Sequence, residues 1–99
     1  MEDRITAEKL EKYFKISKEA LEKAKKTPIA KKAAALKAER EDFLDMASRY
    51  ISDASHFEKK GDIVNAFAAL NYAHGWLDAG ARLGLWDVHD SRLFTVDEE

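Results

Sequence analysis

The sequence predicts an all-α protein, an antiparallel three-helix bundle with a long second helix and a short C-terminal extension. Apolar residues recur at spacings of three and four in three segments, which is the period of an amphipathic helix. A Thr27-Pro28 pair and a Gly61-Asp62 pair separate these segments and carry the signals of helix ends. The 99 residues include only one proline and four glycines, and this length suits one domain over residues 1–99.

The first helix is predicted over about residues 6–26. Thr6 is a good N-cap, because its hydroxyl can accept a hydrogen bond from an N–H of the first turn. Pro28 favours a helix end, since proline disfavours the α conformation in the residue before it. The apolar face consists of Leu10, Phe14, Leu21 and Ala24, with Ser17 as its only weak position.

The second helix is predicted to be the longest, over about residues 29–59. Apolar residues alternate at steps of four and three along its whole length, which is typical of a helix packing along a heptad seam. Arg40 is the only charged member of this seam. The seam consists of Ile29, Ala33, Leu36, Arg40, Phe43, Ala47, Tyr50, Ala54 and Phe57.

The third helix is predicted over about residues 62–84, with Asp62 as its N-cap and Gly84 as its stop. The turn before it is so short that the second and third helices must be antiparallel neighbours. An interior glycine costs a helix about 1 kcal/mol relative to alanine, so Gly80 should have a packing role. We expect that it lets another helix approach closely. The face expected to enter the core consists of Ile63, Phe67, Leu70, His74, Leu77 and Ala81.

A second apolar surface lies nearly opposite this face, at Tyr72, Trp76 and Leu83. A helix that is apolar on two sides is enclosed on two sides, so these residues form a candidate interface. The C-terminal extension, residues 85–99, is expected to fold back over the bundle and to cover part of the apolar surface. The residues expected to hold it there are Leu93, Phe94 and Val96.

The segment from Tyr50 to Val88 carries a distinctive pattern, YISDASHFEKKGDIVNAFAALNYAHGWLDAGARLGLWDV. Its features are Phe57, Lys60-Gly61-Asp62, Ala66, Ala69, Leu70, Tyr72-Ala73, Gly75-Trp76-Leu77-Asp78-Ala79-Gly80 and Arg82-Leu83-Gly84. This pattern resembles the archaeal domain of unknown function 357 family. The resemblance implies a small archaeal helical bundle with no assigned activity, so it supports the fold and supplies no function.

Composition restricts the class of protein. The chain is 45% hydrophobic and 36% charged, which is typical of a globular protein, and it contains no cysteine, so disulfides and thiolate zinc sites are excluded. No apolar run approaches the length of a membrane span, and the charged N-terminus does not resemble a signal peptide. We therefore expect a cytoplasmic protein without a membrane contact, a cofactor or a metal.

Four polar residues on the third helix form a candidate cluster, Asn71, His74, Asp78 and Arg82. His74 and Asp78 are four residues apart, as are Asp78 and Arg82, so their side chains can meet on the helix surface. They could form a general base or a ligand pocket, which requires them to line a cavity. The alternative is a buried polar strip whose members satisfy one another, and this interpretation is favoured because no nucleophile is evident nearby.

Arg49 and His56 form an alternative site on the second helix. An arginine followed by a histidine resembles the ribonuclease motif of HEPN domains, which are also helical bundles. Histidine could act as an acid or base there, and arginine could hold a phosphate. This spacing also occurs often on a solvated helix face, so the alternative of an RNA-processing or nucleotide-binding domain ranks second.

The function best supported by these observations is a scaffold or protein-protein interaction module that acts as a homodimer, through the apolar surface at Tyr72, Trp76 and Leu83. No catalytic residue is assigned, and the sequence favours a non-enzymatic role without deciding the question. The lysine-rich segment 23–32 could contact phosphates, but no aromatic residue interleaves with its lysines, so nucleic acid is not the expected partner.

Overall fold

The computed structural model describes residues 4–95 and contains three α-helices. These are α1, Ala7–Lys26, α2, Lys37–Lys59, and α3, Ile63–Leu83, with a short 3-10 turn at Lys31–Ala33 between α1 and α2. No strand occurs within the described range. The predicted all-α fold with three helices is therefore confirmed.

The second helix starts later than its sequence pattern indicates. Predicted from about residue 29, it begins at Lys37. The preceding segment bonds to the end of α3 and to the C-terminal extension: the Ala30 N–H donates to the carbonyl of Gly84, the C-cap of α3 (2.8 Å), and the Asp87 N–H donates to the Pro28 carbonyl (3.0 Å). Between residues 30 and 36 the backbone forms bonds three residues apart, such as those from the Ala34 N–H to the Lys31 carbonyl (3.2 Å) and from the Leu36 N–H to the Ala33 carbonyl (2.8 Å), so this segment is a 3-10 turn and not the first part of α2.

Small side chains form the centre of the contact between α2 and α3. Ala47 and Ala54 on α2 face Ala66 and Ala73 on α3, and all four are fully buried. The buried side of α3 is therefore rotated by about 70° from the predicted face at 100° per residue, and His74 lies at its edge instead of its middle. Because alanines let the two helices approach closely, the larger aromatic side chains lie at the edges of the contact.

The C-terminal extension completes the core. Trp86 is fully buried, and its indole Nε1–H donates to the Leu77 carbonyl (3.0 Å). The indole lies directly on Gly80, where an added Cβ would come within 2.1 Å of the ring. The expectation that Gly80 admits a helix is thus wrong, since it accommodates this ring. The buried residues of the extension are Leu85, Trp86, Val88, Leu93 and Phe94, and Val96 lies outside the described residues.

Arg40, the charged member of the predicted seam, joins three segments of the chain. Its guanidinium donates to the carbonyls of Thr27 (2.8 Å) and Leu85 (2.7 Å) through Nη1. Through Nη2 it donates to the carbonyls of Ala24 (3.3 Å) and Lys25 (3.0 Å) at the end of α1. The Ala24 carbonyl also accepts from the Thr27 N–H (3.3 Å). Arg40 thus adds donors to carbonyls at the end of α1, where its charge interacts favourably with the helix dipole.

The described molecule is thin. The Cα atoms extend over 42 × 28 × 17 Å, with a radius of gyration of 14.1 Å. A compact chain of this length has a radius near 13 Å, so the bundle is flatter than a sphere of the same mass. A flat bundle leaves a larger share of its helical surface uncovered.

Candidate functional site

Aromatic pairs line one edge of the contact between α2 and α3. The rings of Phe43 and Trp76 meet edge to face with centroids 4.9 Å apart, and those of Tyr50 and Tyr72 stack at 4.8 Å. Tyr72 is nonetheless 62% exposed, because the stack covers only one side of its ring. We call this row the aromatic groove; its cavity of about 400 Å³ is lined by Phe43, Asn71, Tyr72, Gly75, Trp76 and Ala79.

The groove continues onto a solvent-facing side of α3 that carries no charge between Val64 and Ala79. Gly75 lies near the centre of this side, and an added Cβ there would meet no atom within 4 Å. Leu83, 46% exposed, follows one turn beyond its end. We call this surface the outer face; its residues are Val64, Asn65, Ala68, Asn71, Tyr72, Gly75 and Ala79.

The structure brings together three of the four residues of the predicted polar cluster. His74 Nε2 lies 3.8 Å from Asp78 Oδ1, and both side chains are about a quarter exposed. Asp78 accepts its shorter hydrogen bonds from Thr95, at 2.8 Å from the backbone N–H and 3.1 Å from the hydroxyl. Asn71 lines the same cavity as this pair. Arg82 borders a different cavity, beside Lys32 and His89.

The cavity at His74 and Asp78, here called the polar cavity, has a volume of about 390 Å³ and lies between α1, α3 and the extension. Ser17, only 2% exposed, and Arg92 also line it. Neither residue is among the site residues predicted from the sequence. One signal was available for Ser17, the single polar position within the apolar face of α1, whereas no local pattern marks Arg92.

Two ion pairs hold the extension against α1 beside this cavity. Arg92 Nη2 donates to Glu19 Oε2 (2.6 Å), and Lys23 Nζ donates to Asp90 Oδ2 (3.3 Å). The hydrogen bond from Arg92 lowers the pKa of Glu19 below its ordinary value. The pKa of Asp90 is also lowered, first by the backbone N–H of Arg92 (3.0 Å) and then by Lys23. Both carboxylates are therefore ionised and paired at neutral pH.

The alternative site is on the exposed side of α2. Arg49 Nε donates to the Asp45 carboxylate one turn earlier (2.9 Å), and the His56 ring lies 6.5 Å from that of Phe57. Both Arg49 and His56 are exposed. Nothing in this arrangement tests whether they cleave RNA, so the HEPN-like function stays a prediction.

Two further features, a metal site and a membrane-spanning helix, do not occur within residues 4–95. No group of three or more histidine, aspartate or glutamate side chains within that range lies close enough to hold a metal ion. None of the described helices combines the length and apolarity needed to cross a bilayer.

Residues 12–86 match the model of a family described as a protein of unknown function (DUF357). The match includes α2 and α3 entirely, the aromatic groove, and most of α1. No curated protein and no solved structure matches the chain.

Proposed function

The chain belongs to the domain of unknown function 357 family, and from the geometry of its surfaces we propose that it is a helical interaction module that forms a homodimer through the outer face and the aromatic groove. We propose a cytoplasmic location, because cytosolic proteins rarely use disulfides and this chain contains no cysteine. The observation that carries the proposal is an exposed, uncharged helix side with an unfilled aromatic groove beside it.

The absence of charge favours a second copy as the occupant. In a twofold dimer the same surface appears on both subunits, so each residue near the axis faces itself or a close neighbour. A charged side chain there would face a like charge, whereas the exposed residues from Val64 to Ala79 are all neutral. An uncharged helix side in a chain that is 36% charged therefore fits self-association.

Gly75 gives a second reason to expect a homodimer. An interior glycine costs a helix about 1 kcal/mol relative to alanine, and the surroundings of Gly75 within the chain leave space for a Cβ. Close approach of a second helix gives this glycine a role, because small residues let two helix backbones pack tightly. Two α3 helices crossing near Gly75 would place Tyr72 of each copy beside Trp76 of the other.

The experiment is sedimentation of the full chain at micromolar concentrations, with Gly75→Lys as the test variant and Ser52→Lys as its control. Gly75→Lys places a charge on the outer face without a clash inside the chain. Ser52 is exposed on α2 and points about 180° away from Phe43, so the same charge is added far from the groove. We expect a dimer for the wild type and for Ser52→Lys, and a folded monomer for Gly75→Lys.

Helical circular dichroism of each variant shows whether its fold is retained. A wild-type chain that sediments as a monomer over this range contradicts the proposal. A Gly75→Lys variant that remains a dimer would place the interface elsewhere and equally contradict it.

A further inference from the structure

The polar cavity is enclosed on three sides by different elements of the chain. α1 provides Tyr13, Ile16 and Ser17, α3 provides Leu70 and His74, and the extension provides Arg92. Its volume of about 390 Å³ lies within the range of small-molecule sites, which are mostly apolar with a few convergent polar groups. Such a composition suits a compact ligand that has one polar end and one apolar end.

Ser17 offers the cavity a polar group from within the apolar face of α1. It is 2% exposed, yet its hydroxyl forms no hydrogen bond with the described part of the chain. No fully enclosed polar side-chain atom among the described residues lacks a partner, so this hydroxyl must open onto the cavity that Ser17 lines. A hydroxyl that opens onto the cavity can form a hydrogen bond with a ligand atom placed there.

The cavity offers several hydrogen-bond donors. Asp78, which also lines it, accepts from the N–H and the hydroxyl of Thr95, and Glu19 beside it accepts from Arg92. Arg92 has five N–H donors, and among residues 4–95 its side chain donates to Glu19 alone, through Nη2. Ser17 and His74 add further donors, so the cavity is suited to a ligand that carries acceptors.

We propose that the polar cavity binds a small organic anion, a carboxylate attached to a compact apolar group. The carboxylate accepts hydrogen bonds from Ser17 and His74 and lies near Arg92, and such charge-assisted bonds are stronger than neutral ones. The apolar group packs against Ile16, Leu70 and the ring of Tyr13, which is itself fixed edge to face on Phe67 at 5.0 Å. This proposal does not depend on the homodimer.

The test uses benzoate as the probe, with benzamide as a neutral molecule of the same shape. In a backbone-amide NMR titration of the full chain, benzoate should give saturable shifts at Ser17, His74 and Gly75. A fragment of nine heavy atoms is expected to bind with a Kd of about 1 mM. Benzamide should bind about tenfold more weakly, because it lacks the charge that strengthens the hydrogen bonds.

Two variants show whether benzoate binds in the polar cavity or elsewhere on the surface. Ser17→Ala should weaken benzoate binding about fivefold, as expected for one lost hydrogen bond, while its spectrum otherwise stays that of the folded wild type. Ser52→Ala, an exposed site on α2, should bind benzoate as the wild type does.

Four outcomes would overturn the proposal: no saturable shift at the cavity, equal binding of benzoate and benzamide, unchanged affinity in Ser17→Ala, or shifts confined to the lysines of segment 23–32. The last outcome would indicate a nonspecific contact with surface charge. Sedimentation does not enter this test, so failure of one proposal leaves the other standing.

Discussion

Two glycines of α3 have opposite surroundings, and each predicts a different effect of the same substitution. In Gly80→Ala the new methyl group would overlap the ring of Trp86, so we expect unfolding to become easier by about 1–3 kcal/mol. In Gly75→Ala the methyl group enters open space, so the higher helix propensity of alanine should stabilise the fold by about 0.5–1 kcal/mol. Urea denaturation at low protein concentration measures both.

Gly75→Ala serves as the matched control for Gly80→Ala, because both variants add one methyl group to the same helix. Equal changes in the free energy of unfolding for the two would contradict the packing of Trp86 on Gly80 described above.

Arg40 carries a second prediction at the scale of a single side chain. In Arg40→Lys one ammonium group replaces a guanidinium that donates to four carbonyls on two sides of the bundle. We expect a loss of about 2 kcal/mol in the free energy of unfolding, since hydrogen bonds from charged groups contribute about 1.5–3 kcal/mol each and lysine retains part of them. Thermal and urea unfolding measure it.

Arg49→Lys is the control, because Arg49 is an exposed arginine on the same helix with one ion pair to Asp45. Surface pairs of this kind contribute less than about 1 kcal/mol. If the two variants lost the same stability, the bonds of Arg40 to the end of α1 would have no special weight.

At the scale of elements, the extension is held on α1 by groups that titrate in acid. In the folded chain the pKa of Glu19 is lowered first by the hydrogen bond from Arg92, and the pKa of Asp90 is lowered first by the Arg92 N–H within the extension and then by Lys23 on α1. The two carboxylates therefore stabilise the turn of the extension and its contact with α1 at neutral pH. This contribution is fully present above their ordinary values, 4.5 and 3.8, and is lost as the pH falls through the lower values of the folded state. We expect amide hydrogen exchange of residues 90–94, corrected for pH, to increase in that acidic range.

Arg92→Gln should change the pKa of Glu19 and leave the pKa of Asp90 lowered, because the main causes of the two shifts differ. The substitution replaces the charged side-chain donor of Glu19 by a neutral amide, so the pKa of Glu19 should return towards 4.5. It keeps the backbone N–H that is the main cause for Asp90, together with Lys23, so the pKa of Asp90 should stay lowered. Carboxyl NMR titration measures both groups, and a parallel rise of the two values would show that the assigned causes are wrong.

The helices themselves were predictable because their signals are local. The helical spacing of apolar residues and the glycines that end helices can both be recognised within a few residues of sequence. Gly61 and Gly84, which follow α2 and α3, both have positive φ in the structure. The start of α2 was not predictable, since it depends on bonds from Ala30 and Pro28 to a segment more than fifty residues away. The orientation of α3 was missed for a related reason, because alanines on two helices decide it jointly.

The candidate site divides in the same way. His74 and Asp78 could be paired from their spacing on one helix, and they are neighbours in the structure. Ser17 on α1 and Thr95 on the extension both lie near Asp78. The periodicity of one helix cannot predict such contacts between separate elements. Sequence patterns therefore identified one wall of the polar cavity and missed the others.

At the scale of the whole molecule, the flat shape connects both proposals. With a smallest Cα extent of 17 Å, α3 has one side in the core and another in solvent, and the polar cavity and the aromatic groove open on either side of Gly75. A second copy on the outer face would therefore lie next to the mouth of the polar cavity. Dimer formation and ligand binding would then share a border on α3.

The two tryptophans give the chain separate optical reporters. Trp86 is fully buried in the core with its indole N–H bonded to the Leu77 carbonyl, so we expect its emission to be blue-shifted until the extension detaches. Trp76 is partly open to water in the aromatic groove, so its emission responds to whatever covers that groove. Replacing either one by phenylalanine leaves a single fluorophore, and the two variants would follow detachment of the extension and occupancy of the groove independently.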